Sequence, residues 1–116
     1  MIQLVRDLEA ARALVASGWC QGESALDAAG DIVSMFDPAA AVFCASAACG
    51  RVASVVLHRN MTRRSEAMHA ALLGVIRGDD LVVWNDHPKR TKRAVLAAFD
   101  RAIARARRGE GSHHLD

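Results

Sequence analysis

The chain has 116 residues, 23 of them alanine, with no tyrosine, three phenylalanines and a formal net charge of +2. Such a length predicts one domain burying roughly two-thirds of its unfolded surface, and the composition suits closely packed helices better than sheets, which favour β-branched and aromatic residues. It excludes a bilayer span, since no apolar run approaches the ~20 residues required. Arg6, Asp7, Glu9 and Arg12 interrupt the first apolar stretch, which argues against a signal or anchor. Cys20, Cys44 and Cys49 are odd in number and lack C-x-x-C spacing, so a reducing compartment, the cytoplasm, is expected.

The elements are predicted as follows. Leu4, Val5, Leu8, Ala11, Leu14 and Val15 recur at helical spacing and Gly18 follows as a stop signal, giving a first helix over 3–16. Trp19-Cys20-Gln21-Gly22 follows, and then Gly30 between Ser24-Ala25-Leu26 and Ile32-Val33-Ser34 suggests a small β-hairpin. Two strands are marginal alone and would have to lie against the helices. Asp37-Pro38 reads as a helix start, with Asp as N-cap and Pro at the first helical position. The segment 38–58, apolar nearly all round through Cys49, is therefore predicted as a central helix, with Gly50 as a bend or a point of close approach.

His58-Arg59-Asn60-Met61 is predicted as a connection, and Thr62 or Ser65 as the cap of a third helix striped by Met68, Ala71, Leu72, Val75 and Ile76. Gly78 closes that helix. Leu81-Val82-Val83-Trp84 reads as one helical turn capped by Asp80 or as a short extended piece, the turn being preferred. Thr91 then caps a last helix striped by Val95, Leu96, Phe99, Ala102, Ile103 and Ala106, which frays near Arg108. The expected architecture is a mostly α single domain of four main helices over residues 1–108, with a short hairpin between the first two and a disordered tail over 109–116.

The densest polar stretch is Trp84-Asn85-Asp86-His87-Pro88-Lys89-Arg90-Thr91. Each member has a structural use: Pro88 forces a turn at His87, Asn85 and Asp86 bond back to local backbone, and Trp84 anchors the turn. The same residues also admit a functional reading, in which Asp86, His87 and Arg90 hold a ligand or move a proton. If the Trp19–Gly22 loop meets this turn, Cys20 with His87 and Asp86 would make a thiol nucleophile, base and orienting acid, with Gln21 donating to an oxyanion. The bland counterpart is that all three cysteines are small apolar fillers. The cysteines and histidines show no zinc-ligand spacing, so no metal is expected, and no cofactor motif occurs.

Charge is uneven. Residues 1–50 carry two basic and six acidic side chains, and residues 51–116 carry thirteen and seven. Arg93, Arg101, Arg105 and Arg108 along the last helix could follow phosphates, but no aromatic residue is interleaved to stack on bases. A solvated helix face explains them equally.

Three motifs in order carry a resemblance to a family. Gly18-Trp19-Cys20-Gln21-Gly22, Phe43-Cys44-Ala45 and the Trp84–Thr91 entry to the last helix together resemble a family of small bacterial proteins carrying a domain of unknown function, whose pattern also has a polar Asp-x-x-Gly turn. The likeness spans about residues 3–106, and its last motif is the most specific. Where that pattern reads Gly-Ala-Leu after the helix cysteine, this chain has Ala47-Ala48-Cys49. The resemblance implies a common architecture and no activity, and makes Trp19, Gln21, Cys44, Trp84, Asn85, Asp86 and Arg90 the candidates for any shared site. The expected function is a non-enzymatic module that binds another protein and self-associates, through Trp19, Gln21, Trp84, Asn85, Asp86 and Arg90. The alternatives are a thiol- or Asp/His-dependent hydrolase or transferase at the junction of 19–22 with 84–90, and nucleic-acid binding through the basic last helix.

Overall fold

The computed structural model describes residues 2–54 and 58–113, with side chains described over 2–54 and 62–109. In chain order the elements are α1 (Ile2–Ser17), β1 (Ala25–Asp27), β2 (Ile32–Val33), β3 (Ala40–Phe43), α2 (Ala45–Ala53), α3 (His58–Ile76), α4 (Leu81–Asn85) and α5 (Lys92–His113). Helix α1 packs against α5 and α2, and α3 packs against α2 and α5. The apolar stripes meet in one core, whose largest fully buried side chains include Phe43, Phe99, Leu8, Met68 and Leu72. Among the described residues no helix is long and apolar enough to cross a membrane.

One ion pair is buried in that core. Asp7 of α1 takes a two-pronged contact from Arg64 of α3, Nε to Oδ2 at 2.9 Å and Nη2 to Oδ1 at 2.6 Å. Gln3 Nε2 donates to the same carboxylate at 2.8 Å. The hydrogen bonds to Asp7 push the Arg64 guanidinium still higher than its ordinary value. Fork-to-carboxylate geometry fixes the rotation of α3 about its axis relative to α1.

The hairpin expected around Gly30 is present, β1 pairing antiparallel with β2 and Gly30 turning at a φ of +89°. A third strand is added on the other side of β1, giving the order β2-β1-β3. This corrects the helix expected over 38–58. Asp37 caps a tight turn instead, its Oδ1 accepting from Ala39 N at 2.8 Å, and Ala40–Phe43 then pairs with β1. Strand pairing overrides the helical preference of an alanine-rich segment because it satisfies the backbone of β1. The helix starts later, with Cys44 as its N-cap, and residues 55–57 of the expected helix lie outside the described residues.

Among the described residues the count of four helices becomes five with the short α4, and a three-stranded sheet is present. Residues 58–61 are not a connection but the first turn of α3, so neither Thr62 nor Ser65 caps it. No glycine or proline interrupts that stretch. At the other end α5 continues past Arg108 to His113, and residues 114–116 lie outside the described residues. Glycine within a formed helix costs about 1 kcal/mol relative to alanine, which weakens propagation without stopping it. Gly50 is a point of close approach, as one of its two expected roles, but to a side chain: a Cβ there would lie 2.7 Å from Met35 Sδ.

Candidate functional site

The Trp84–Thr91 motif begins inside α4. Asp80 caps that single turn by accepting from Val82 N at 2.9 Å and Val83 N at 3.1 Å. After Asn85 the chain turns through His87 and Pro88, with Arg90 N donating to His87 O at 2.8 Å. Arg90 then folds back over the indole of Trp84, its guanidinium carbon 3.9 Å from the ring centroid, while Nε donates to Trp84 O at 2.8 Å. Thr91 Oγ1 accepts from Ala94 N at 3.1 Å, capping α5 as expected.

The Trp19–Gly22 loop meets this turn. Backbone bonds tie the loop to the end of β3, Phe43 N donating to Gly18 O at 3.0 Å and Cys20 N to Phe43 O at 3.3 Å. Gly18 permits that approach, because a Cβ there would stand 2.8 Å from Ala41 O. The loop and the turn are then joined through Asn85, which is fully buried. Its Oδ1 accepts from Trp19 Nε1 at 2.8 Å and Ala45 N at 3.0 Å; its Nδ2 donates to Cys20 O at 3.1 Å and Asp86 Oδ1 at 2.9 Å. Trp19 and Ala45 can only donate and the Cys20 carbonyl can only accept, so the orientation of the amide is determined by its partners. All four hydrogen-bonding positions of the amide are filled.

The neighbours are occupied in the same way. Gln21 Nε2 donates to Asn85 O at 2.9 Å and His87 O at 2.8 Å, and Asp86 Oδ1 also accepts from Gly22 N at 3.0 Å. Thus Trp19, Gln21, Asn85, Asp86, Trp84 and Arg90 do come together, with polar atoms directed at backbone and at one another. Cys44, the remaining position shared with the family pattern, caps α2 from beneath, its Sγ accepting from Ala47 N at 3.3 Å.

Cys20 is buried at this junction and its Sγ donates to Glu23 O at 3.4 Å. Burial, and then the charges of Cys44, Asp86 and Glu23, push the thiol up to about 11. His87 is exposed and accepts at Nδ1 from Lys89 N at 3.1 Å. Among the described residues no hydrogen bond links Cys20 to His87 or His87 to Asp86. The described surroundings of the thiol thus favour its protonated form. Burial likewise raises Cys44 and Cys49.

Arg93, Arg101, Arg105 and Arg108 are exposed on α5. Arg105 Nη1 lies against Gly74 of α3, and the seam with α1 carries the ion pairs Arg12–Asp100 at 2.6 Å and Arg107–Glu9 at 2.7 Å. Acidic groups are thus interleaved with that basic surface.

A second polar constellation, absent from the sequence-based expectations, joins α2 to α3. Ser46 Oγ lies 2.8 Å from His69 Nε2, and His69 Nδ1 lies 2.8 Å from Ser65 O and 3.5 Å from Ser65 Oγ. Ser46 and His69 stand 23 positions apart on different helices, so no spacing rule links them. Only the packing of α2 on α3 does.

Residues 2–105 match the model of a family of unknown function, DUF6197, and the chain belongs to that family. No curated protein and no solved structure matches it.

Proposed function

We propose that this family member is a partner-binding module whose docking surface is the outer face of α4, held by the junction beneath it. The carrying observation is a pair of adjacent valines, Val82 and Val83, exposed by 47% and 68% on a helical turn fixed at both ends. Asp80 holds the start of the turn and Asn85 its end. Backbone fixed in this way loses little conformational entropy on binding, and covering the part of each valine still exposed contributes about 1 kcal/mol before the cost of association. The Trp84–Arg90 stack beside them supplies the residue types that dominate interface energetics. Charges of both signs flank the turn in sequence, exposed Asp79 and Asp80 before it and exposed Lys89 after it, so the partner is a protein recognised through its apolar contact surface.

The test places a photo-crosslinking residue at Val83 and, as a control, at Ile2 of α1, in cells producing the chain. A discrete adduct from position 83, absent from position 2 and lost with Val82→Asp, supports the reading. Adducts of the chain with itself would make the partner a second copy, as sedimentation velocity would also show. Equal labelling from both positions, or none, overturns the proposal. A salt-dependent gel shift lost on neutralising Arg101, Arg105 and Arg108 would favour nucleic-acid binding in its place.

A further inference from the structure

The Ser46–His69 pair has the arrangement of an activated hydroxyl. A backbone carbonyl carries no proton, so the 2.8 Å contact between His69 Nδ1 and Ser65 O requires the ring proton on Nδ1. In the neutral ring Nε2 is then a lone pair, and at 2.8 Å it can only accept from the Ser46 hydroxyl. Nucleophile, base and a group orienting the base are therefore in line, with a main-chain carbonyl in the orienting position. Ser46 lies in the first turn of the nine-residue α2, where the helix's positive end favours developing negative charge.

The pair opens on a cavity of about 350 Å³ lined also by Met35, Phe36, Gly50, Thr62 and Glu66. Phe36 lines it while 51% exposed, and Gly50 lets Met35 lie close over α2. Among the described residues its lining is apolar at Met35 and Phe36 and carries one carboxylate, Glu66. This suits an uncharged acyl group and disfavours an anionic one.

We propose that Ser46 is a nucleophile for acyl transfer, with His69 as its general base, acting on carboxylic esters with an uncharged apolar acyl group. As Ser46 Oγ bonds to the acyl carbon, its proton passes to His69 Nε2. The bond from that carbon to the alcohol oxygen breaks, and the leaving alkoxide takes the proton from Nε2. Water then attacks the acyl-serine, giving its proton to His69, which returns it to Ser46 Oγ as the carboxylic acid departs. The sum is ester plus water to acid plus alcohol. The reaction lies at the α2–α3 face and does not depend on the α4 docking surface.

The experiment treats the full chain with an alkyl fluorophosphonate and locates the adduct by peptide mass spectrometry, with p-nitrophenyl butyrate turnover measured in parallel. The expected result is one phosphonyl group on Ser46. His69→Gln slows its formation at least ~100-fold, the scale of a lost general base, while Cys20→Ala leaves it unchanged. Wild-type labelling needs no variant to fold, so an unlabelled Ser46 in the folded wild type overturns the proposal outright. Labelling at an undiminished rate in folded His69→Gln also overturns it, because the hydrogen bond would then be only a tie between helices.

Discussion

Replacing Asn85 by alanine should destabilise the protein far more than the loss of one polar side chain suggests. The carboxamide fills four positions at once, and its removal leaves Trp19 Nε1, Ala45 N and Cys20 O without their partner. Trp19 is half-buried, so its N–H regains water; Ala45 and Cys20 are buried, so their groups do not. Each stranded buried group costs about 1–3 kcal/mol, giving about 2–6 kcal/mol for two. A domain of this size has about 5–15 kcal/mol in all. Urea unfolding at pH 7 should register that loss, and at about 4 °C per kcal/mol for a domain of this size Tm should fall by about 8–24 °C. Asn85→Asp puts an oxygen where Nδ2 donates to Cys20 O and Asp86 Oδ1, and burial beside Asp86 raises the pKa of the new carboxyl. Its protonated form can donate again, so part of the stability should return on acidification. A loss below about 1 kcal/mol in Asn85→Ala would refute the reasoning.

The other predictions rest on the same accounting. Burial moves Cys20 from the ordinary 9.0 to about 11, so at pH 8 its thiolate fraction is roughly 100-fold lower than that of a free thiol, and iodoacetamide should react correspondingly slowly. Since the raised value belongs to the folded state, its stabilisation is full below about pH 9 and is lost as pH rises through about 11; an alkaline melting series checks this. Arg64→Met strands a carboxylate whose side chain is only 5% exposed, and should cost about 3–5 kcal/mol in urea unfolding. Pairing it with Asp7→Leu should restore most of that loss, because no buried charge remains.

The parts legible in sequence were those set by local rules. The α1 stripe, the Gly30 turn, the Asp80 and Thr91 caps and the α5 stripe each depend on neighbours within a few positions, and each appears in the structure. The misread elements were decided by distant partners. Ala40–Phe43 becomes a strand because β1 is there to pair with it, which no property of an alanine-rich run announces. The same boundary explains the two polar constellations. The meeting of the Trp19–Gly22 loop with the Trp84–Arg90 turn could be posed from sequence as a condition, because both segments stood out. What their polar atoms do could not, since Asn85 spends its amide on Cys20 and Ala45, 65 and 40 positions away. Ser46 and His69 stood out in neither helix, and only the packing of α2 on α3 makes a pair of them.

The most distinctive motif of the chain joins two loops through Asn85, whose amide bonds Trp19, Ala45 and Cys20. A double-mutant cycle with Trp19→Phe and Asn85→Ala tests this joint: phenylalanine keeps a six-membered aromatic ring but removes the pyrrole ring with the N–H bonded to Oδ1, and the packing loss common to both backgrounds cancels in the cycle. A coupling free energy of about 0.5–3 kcal/mol between them is expected in urea unfolding. Losses that simply add, within about 0.3–0.5 kcal/mol, would contradict it.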